Sequence, residues 1–213
     1  MDKNVLLPSC IIMQSFSEIE TTSKRASKAA GFSWGIAEEI GKAVRGLELF
    51  GLPGIKNLNL YLNKIEKNHP EKVNKIGKEN KNKELCPIYC GVAFLDQCQK
   101  LEILKNIKFY NVNYPILILP FISKASEILG KKILIQFNKS SFLMNFNKSI
   151  LSKNLEKQFI NLVDEISIEF LEDNNLFSDQ DWKELYTLSE KTFVEETDSL
   201  KAKGAGAGLT DND

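Results

Sequence analysis

The chain has a single histidine, His69, among 213 residues. That excludes any site built on two imidazoles, including the common histidine-rich zinc and non-haem iron centres. No Gly-Lys-Thr or Gly-Lys-Ser sequence occurs, so the glycines at 31, 35 and 41 do not form a phosphate loop. Net charge is also missing: 28 basic and 28 acidic side chains cancel. A general nucleic-acid binder needs a basic excess, so nucleic acid is not expected as a partner. No apolar run is long enough to cross a bilayer, and no membrane partner is expected. The first residues do not read as a signal peptide, because Pro8, Ser9, Gln14 and Ser15 interrupt the apolar stretch and no small-residue cleavage site follows. The expected compartment is the cytoplasm, and the four cysteines (Cys10, Cys86, Cys90, Cys98) are expected to be reduced.

What is present is ordinary for a globular chain: 43% hydrophobic and 26% charged residues, enough to bury a sizeable core. Asn4 to Met13 reads as a short strand. Ser17-Glu18-Ile19-Glu20 has capping-box spacing and predicts a helix from Ser17 to Gly31, with a small-residue face of Ile19, Ala26, Ala29 and Ala30. Ser33 opens a second helix that ends near Gly51, with Ile36, Ile40, Ala43, Val44, Leu47 and Phe50 at helical spacing. After the turn Leu52-Pro53-Gly54, a third helix carries Leu58, Leu60, Tyr61, Leu62 and Ile65. Residues 1–67 thus read as a helical unit and 68–84 as a polar, solvated linker. Residues 85–213 read as an α+β unit, or as part of one domain with the rest.

Beyond Pro87 the pattern shortens. Ile88 to Leu95 is ambiguous between strand and helix. Ile107 to Val112 alternates. Pro115 to Ile122 is continuously apolar, which predicts a strand buried on both faces. Ile133 to Phe137 and Phe142 to Phe146 are further strands. Ser149 to Asn161 reads as a charged helix, and 166–170 as a half-exposed strand with Asp164, Glu165 and Glu169 on its solvent face. A last helix starts near Ser178, with Trp182, Leu185, Tyr186, Ser189 and Phe193 on one face. The order predicts an α+β fold: an N-terminal helical unit, a central mostly antiparallel or mixed sheet, then a C-terminal helix and a Gly/Ala tail.

Candidate chemistry is sparse. His69 precedes Pro70 in the polar stretch and reads as an exposed loop histidine. Cys86 and Cys90 have a Cys-x3-Cys spacing with no second close pair, which fits buried thiols better than metal ligands; no metal is expected, and the cofactor is left open. Glu38 and Glu39 are adjacent and point to different parts of a helix. The tail Gly204-Ala205-Gly206-Ala207-Gly208-Leu209-Thr210-Asp211-Asn212-Asp213 is the most distinctive stretch. Its glycines allow close backbone approach, consecutive amides can form an anion nest, and its carboxylates can bind a cation or cap a helix.

These residues carry two resemblances. Gly31-Phe32-Ser33-Trp34-Gly35-Ile36-Ala37-Glu38-Glu39, Gly51-Leu52-Pro53-Gly54, Cys86-Pro87-Ile88 and the terminal decapeptide resemble a bacterial family known as a domain of unknown function, family 3726. Ser17 to Ile65 is similar to the N-terminal helical region of type-2 malate/L-lactate dehydrogenases. In those enzymes a Ser-His-Gly turn supplies the catalytic histidine; here the turn reads Leu52-Pro53-Gly54. That resemblance implies a divergent relative lacking its proton donor.

The combined expectation is a binding or accessory module of small-molecule metabolism, partnered by a metabolic enzyme or a second copy. Gly204, Gly206, Gly208, Thr210, Asp211, Asn212 and Asp213 are its candidate tail site, and Ser33, Trp34 and Glu38 a candidate pocket rim. The alternatives are an enzyme acting on a small polar metabolite through the tail with Glu38, Glu39 or Cys90, and a helix-turn-helix regulator.

Overall fold

Ser15, not Ser17, starts the first helix. Its side chain accepts a hydrogen bond from the amide of Glu18, and the Glu18 carboxylate accepts one from the Ser15 amide at 2.9 Å. Both serines precede a glutamate by three residues; the earlier pair forms the box, and Ser17 lies inside the first turn. This computed structural model describes residues 14–66, 69–145, 149–153, 161–172 and 177–192. The predicted strand at Asn4 to Met13 lies outside them. Helix α1 is Phe16–Ala29, α2 is Trp34–Leu49 and α3 is Gly54–Ile65. Gly31 (φ +100°) and Gly51 (φ +71°) take the left-handed backbone that reverses the chain between them.

The buried stripe of α1 is Ser23 and Ser27 with half-buried Ile19; Ala26 and Ala29 are exposed. The face is therefore offset from the expected alanines. It presses on α2 at Gly41, where a β-carbon would come within 2.6 Å of the Glu20 carbonyl oxygen. Small side chains on both helices permit this approach.

The stretch from residue 69 to 85 is tied into the fold. Ile76 is buried, the short strand β1 (Glu79–Asn80) pairs in parallel with β2 (Asn106–Asn113), and the Asn80 amide nitrogen donates to the carbonyls of Gly77 and Lys108. Pro87 then sits in the first turn of α4 (Pro87–Leu101), which resolves the ambiguous run as helix.

Pro115 to Ile122 is buried as expected but helical. A 3-10 turn (Pro115–Ile118) leads into α5 (Leu119–Leu129), which ends on Gly130 at φ +63°. Continuous burial has no period, so the run itself did not distinguish helix from strand. Its two prolines, each within the first turn of its element, suit helix starts. The strands β3 (Ile133–Phe137), β4 (Ser140–Asn145), β5 (Ser149–Lys153) and β6 (Leu162–Phe170) follow. Residues 149–153 are thus an edge strand rather than the start of a helix, with Leu143 opposite Leu151 and Met144 opposite Ile150.

The mixed sheet runs β1-β2-β6-β3-β4-β5, antiparallel except at β1–β2. The chain is therefore α+β. Ile107, Phe109, Ile133, Ile135, Phe142, Met144, Ile166 and Ile168 form the buried side of the sheet, in one core with residues from α2 to α5. Helices α4 and α5 meet at Gly91, where a β-carbon would lie 2.5 Å from the ring of Phe121.

The chain divides into two compact units, up to residue 173 and from residue 174 onward. In the second, α6 (Asp179–Glu190) starts at the predicted Ser178 with a full capping box to Asp181. Phe177 stacks on Trp182 at 5.9 Å, and Trp182, Leu185 and Tyr186 are exposed. No helix among the described residues is long and apolar enough to cross a membrane.

Candidate functional site

A groove of about 420 Å³ opens between α2 and α5. Its walls follow from helical periodicity. Along α2, Ile40, Val44 and Leu47 turn into the core. The neighbouring stripe (Glu39, Lys42, Ala43, Gly46, Leu49, Phe50) faces the groove. Along α5, Pro120, Ser123, Lys124 and Glu127 line it at the same spacing, and Ile150 of β5 contributes from the sheet. Its apolar lining is Ala43, Leu49, Phe50, Pro120, Phe121 and Ile150, and its charged lining is Glu39, Lys42, Arg45, Lys124 and Glu127. Leu49 and Phe50 are exposed large hydrophobics. An apolar body with a few polar groups and a volume in this range is the usual make-up of a small-molecule site.

Glu39 organises the rim. One carboxylate oxygen accepts from Lys42 Nζ at 3.1 Å within α2; the other accepts from Lys124 Nζ at 3.0 Å across the groove on α5. Burial acts to raise its carboxyl pKa, but the hydrogen bonds and charges of Lys124 and Lys42 outweigh that and hold it below the ordinary carboxylate range. Lys42 also reaches Glu38 at 3.1 Å. Arg45 reaches Glu20 of α1 at 3.0 Å.

The sequence-derived rim residues lie on the same helix but around it. Ser33 caps α2 and accepts from the Ile36 amide at 3.5 Å. Trp34 is exposed, with Lys28 Nζ 5.5 Å from its ring centroid. Glu38 pairs with Lys24 and Lys42. None of the three lines the groove, whereas Glu39, the adjacent carboxylate, does. The tail residues Gly204, Gly206, Gly208, Thr210, Asp211, Asn212 and Asp213 lie outside the described residues. Sequence reasoning missed Lys42, Lys124, Phe50 and Ile150 as one constellation. The only available signal was that Glu39, Lys42, Gly46 and Leu49 share a helical stripe.

Other chemistries are poorly served. Cys86, Cys90 and Cys98 are buried. Desolvation pushes the Cys86 thiol up to about 11 and raises Cys90 and Cys98 as well, which suppresses the thiolate a nucleophile requires. The Tyr61 hydroxyl lies buried beside Cys86 without a hydrogen bond of normal geometry, and burial raises its pKa strongly. His69 is exposed, its ring edge on Phe32 at 5.3 Å. Among the described residues no three His, Cys, Asp or Glu side chains cluster as metal ligands. The exposed stripe of α2 (Trp34, Glu38, Lys42, Arg45, Leu49) has both its cations held by carboxylates. A DNA-reading helix instead presents free donors.

The fold and groove describe an α+β chain with an open, amphiphilic surface site. Residues 14–86 match a family model described as a protein of unknown function (DUF3726). The match covers α1 to α3 and the stretch up to the cap of α4. It includes the α2 wall of the groove and excludes α5, Ile150 and the Gly/Ala tail. No curated protein and no solved structure matches the chain.

Proposed function

We propose that this chain is a binding or accessory module of small-molecule metabolism whose ligand lies in the α2–α5 groove. The supporting observation is the groove's composition: apolar side chains, among them Leu49, Phe50, Phe121 and Ile150, beside paired charges. An apolar ligand surface placed there leaves water at about 25 cal/mol for each Å² buried. The raised thiols favour binding over nucleophilic catalysis as the role of this unit.

The test uses Nile red, a neutral apolar dye, with the full chain. Gly46 lines the groove and a β-carbon there meets nothing within 4 Å, so Gly46→Leu adds bulk to the groove with no clash at the β-carbon. The wild-type chain is expected to bind the dye with a blue-shifted emission, and Gly46→Leu to lose that binding while melting at the same or a higher temperature. No binding by the wild type, or equal binding by a folded Gly46→Leu variant, would sink the proposal.

A further inference from the structure

The two ends of the groove differ in chemistry. Glu39, Lys42 and Lys124 gather at one end of its α2 wall and Leu49 and Phe50 at the other. Ten residues of helix separate Glu39 from Leu49, about 15 Å along the axis. The charged end is already built to hold a carboxylate. Two ammonium groups from different helices converge on one anion, at 3.1 and 3.0 Å, and that anion is the side chain of Glu39. It is a bridge between the walls, and its side chain is 31% exposed, so a ligand can reach it. Arg45, held by Glu20, and the carboxylate of Glu127 complete the charged lining.

Resting on the groove as the binding site, we infer that its ligand class is a single-chain amphiphilic carboxylate, its chain against the apolar lining of Leu49, Phe50, Phe121 and Ile150 and its head on Lys42 and Lys124 in place of Glu39. Glu39 then acts as an internal competitor for the head-group position. It holds the walls together in the free chain and is displaced on binding. A neutral amphiphile gains the apolar lining but cannot replace the bridging anion.

Displacement of Nile red by decanoate and by decanol tests this. Decanoate is expected to compete about threefold better than decanol, because the head's gain on Lys42 and Lys124 is offset by the Glu39 contacts it displaces. The preference should shrink as salt is raised, while decanol is unaffected. Glu39→Gln removes the competing charge, so decanoate binding should tighten by about threefold with decanol unchanged. Lys124→Gln should erase the preference, read as the ratio of decanoate to decanol competition in that variant. Equal competition by the two amphiphiles, or a Glu39→Gln variant with unaltered decanoate affinity, overturns the head-group assignment alone. Failure of the wild-type chain to bind Nile red overturns the groove reading beneath it.

Discussion

Cys86 is under two opposed influences. It is the N-cap of α4, and its sulfur accepts from the Tyr89 amide at 3.3 Å. A helix N-terminus ordinarily lowers a thiol pKa. Here the side chain is buried, and desolvation outweighs the amide hydrogen bonds of the helix start that would lower it. The sign of the pH dependence follows. A thiol raised from 9.0 to about 11 on folding binds its proton more tightly in the native chain. Its stabilisation is complete below pH 9 and is lost between pH 9 and 11, up to about 3 kcal/mol. Serine preserves the cap and does not titrate in this window. Urea unfolding at pH 8 and pH 10 should therefore show a smaller loss of stability for Cys86→Ser than for the wild-type chain. Equal losses would mean that Cys86 is hydrated in the native state.

At the level of elements, the caps are the most informative local signals. The box at Ser15 and Glu18 predicts that Ser15→Ala costs about 1 kcal/mol, while Ser17→Ala is neutral or slightly stabilising because alanine is the better helix former. Chemical denaturation of the two variants distinguishes the two possible starts of α1; equal effects would contradict the observed box. The same kind of signal made Ser33 and Ser178 legible in the sequence, because a cap is satisfied within three residues. Alternation likewise revealed β2 and β6. The run from Pro115 to Ile122 was legible as buried but not as helical, since every position in it faces the core or its edge. Strand β5 was lost because its identity rests on pairing with β4, which a charged flank concealed. The groove was legible only in part. Its α2 wall follows a readable stripe, but Lys124 and Ile150 reach it from distant positions through the packing of α5 and the sheet. The aromatic and charged residues nearest the Ser33 cap drew the expected rim one turn away.

For the unit up to residue 173, the question is whether its N-terminal helices stand alone. One continuous core says otherwise. Val44 and Leu47 of α2 and Leu58 and Tyr61 of α3 are buried in the same cluster as Ile116, Ile118 and Phe121. The rings of Tyr61 and Tyr114 meet edge-on at 5.8 Å. Polar contacts repeat the connection: Lys64 Nζ donates to Asn113 Oδ1 at 2.6 Å and pairs with Glu84 at 2.9 Å, and Asn113 Nδ2 donates to Glu84 at 3.1 Å. Asn113 is buried, so this triangle fixes α3 to the end of β2 where an unmet amide would be costly. Cutting the chain at residue 86 would expose the core faces of α2 and α3 together and leave Lys64 with Glu84 alone. A fragment of residues 14–86, the part matched by the family model, is thus expected to keep some helix but to melt without a cooperative transition. The full chain should show a cooperative transition in the same experiment. A sharp, independent transition in the fragment would show that three helices suffice for a core. The sheet and α5 would then be a platform added to it, and the groove a junction between two separately stable parts.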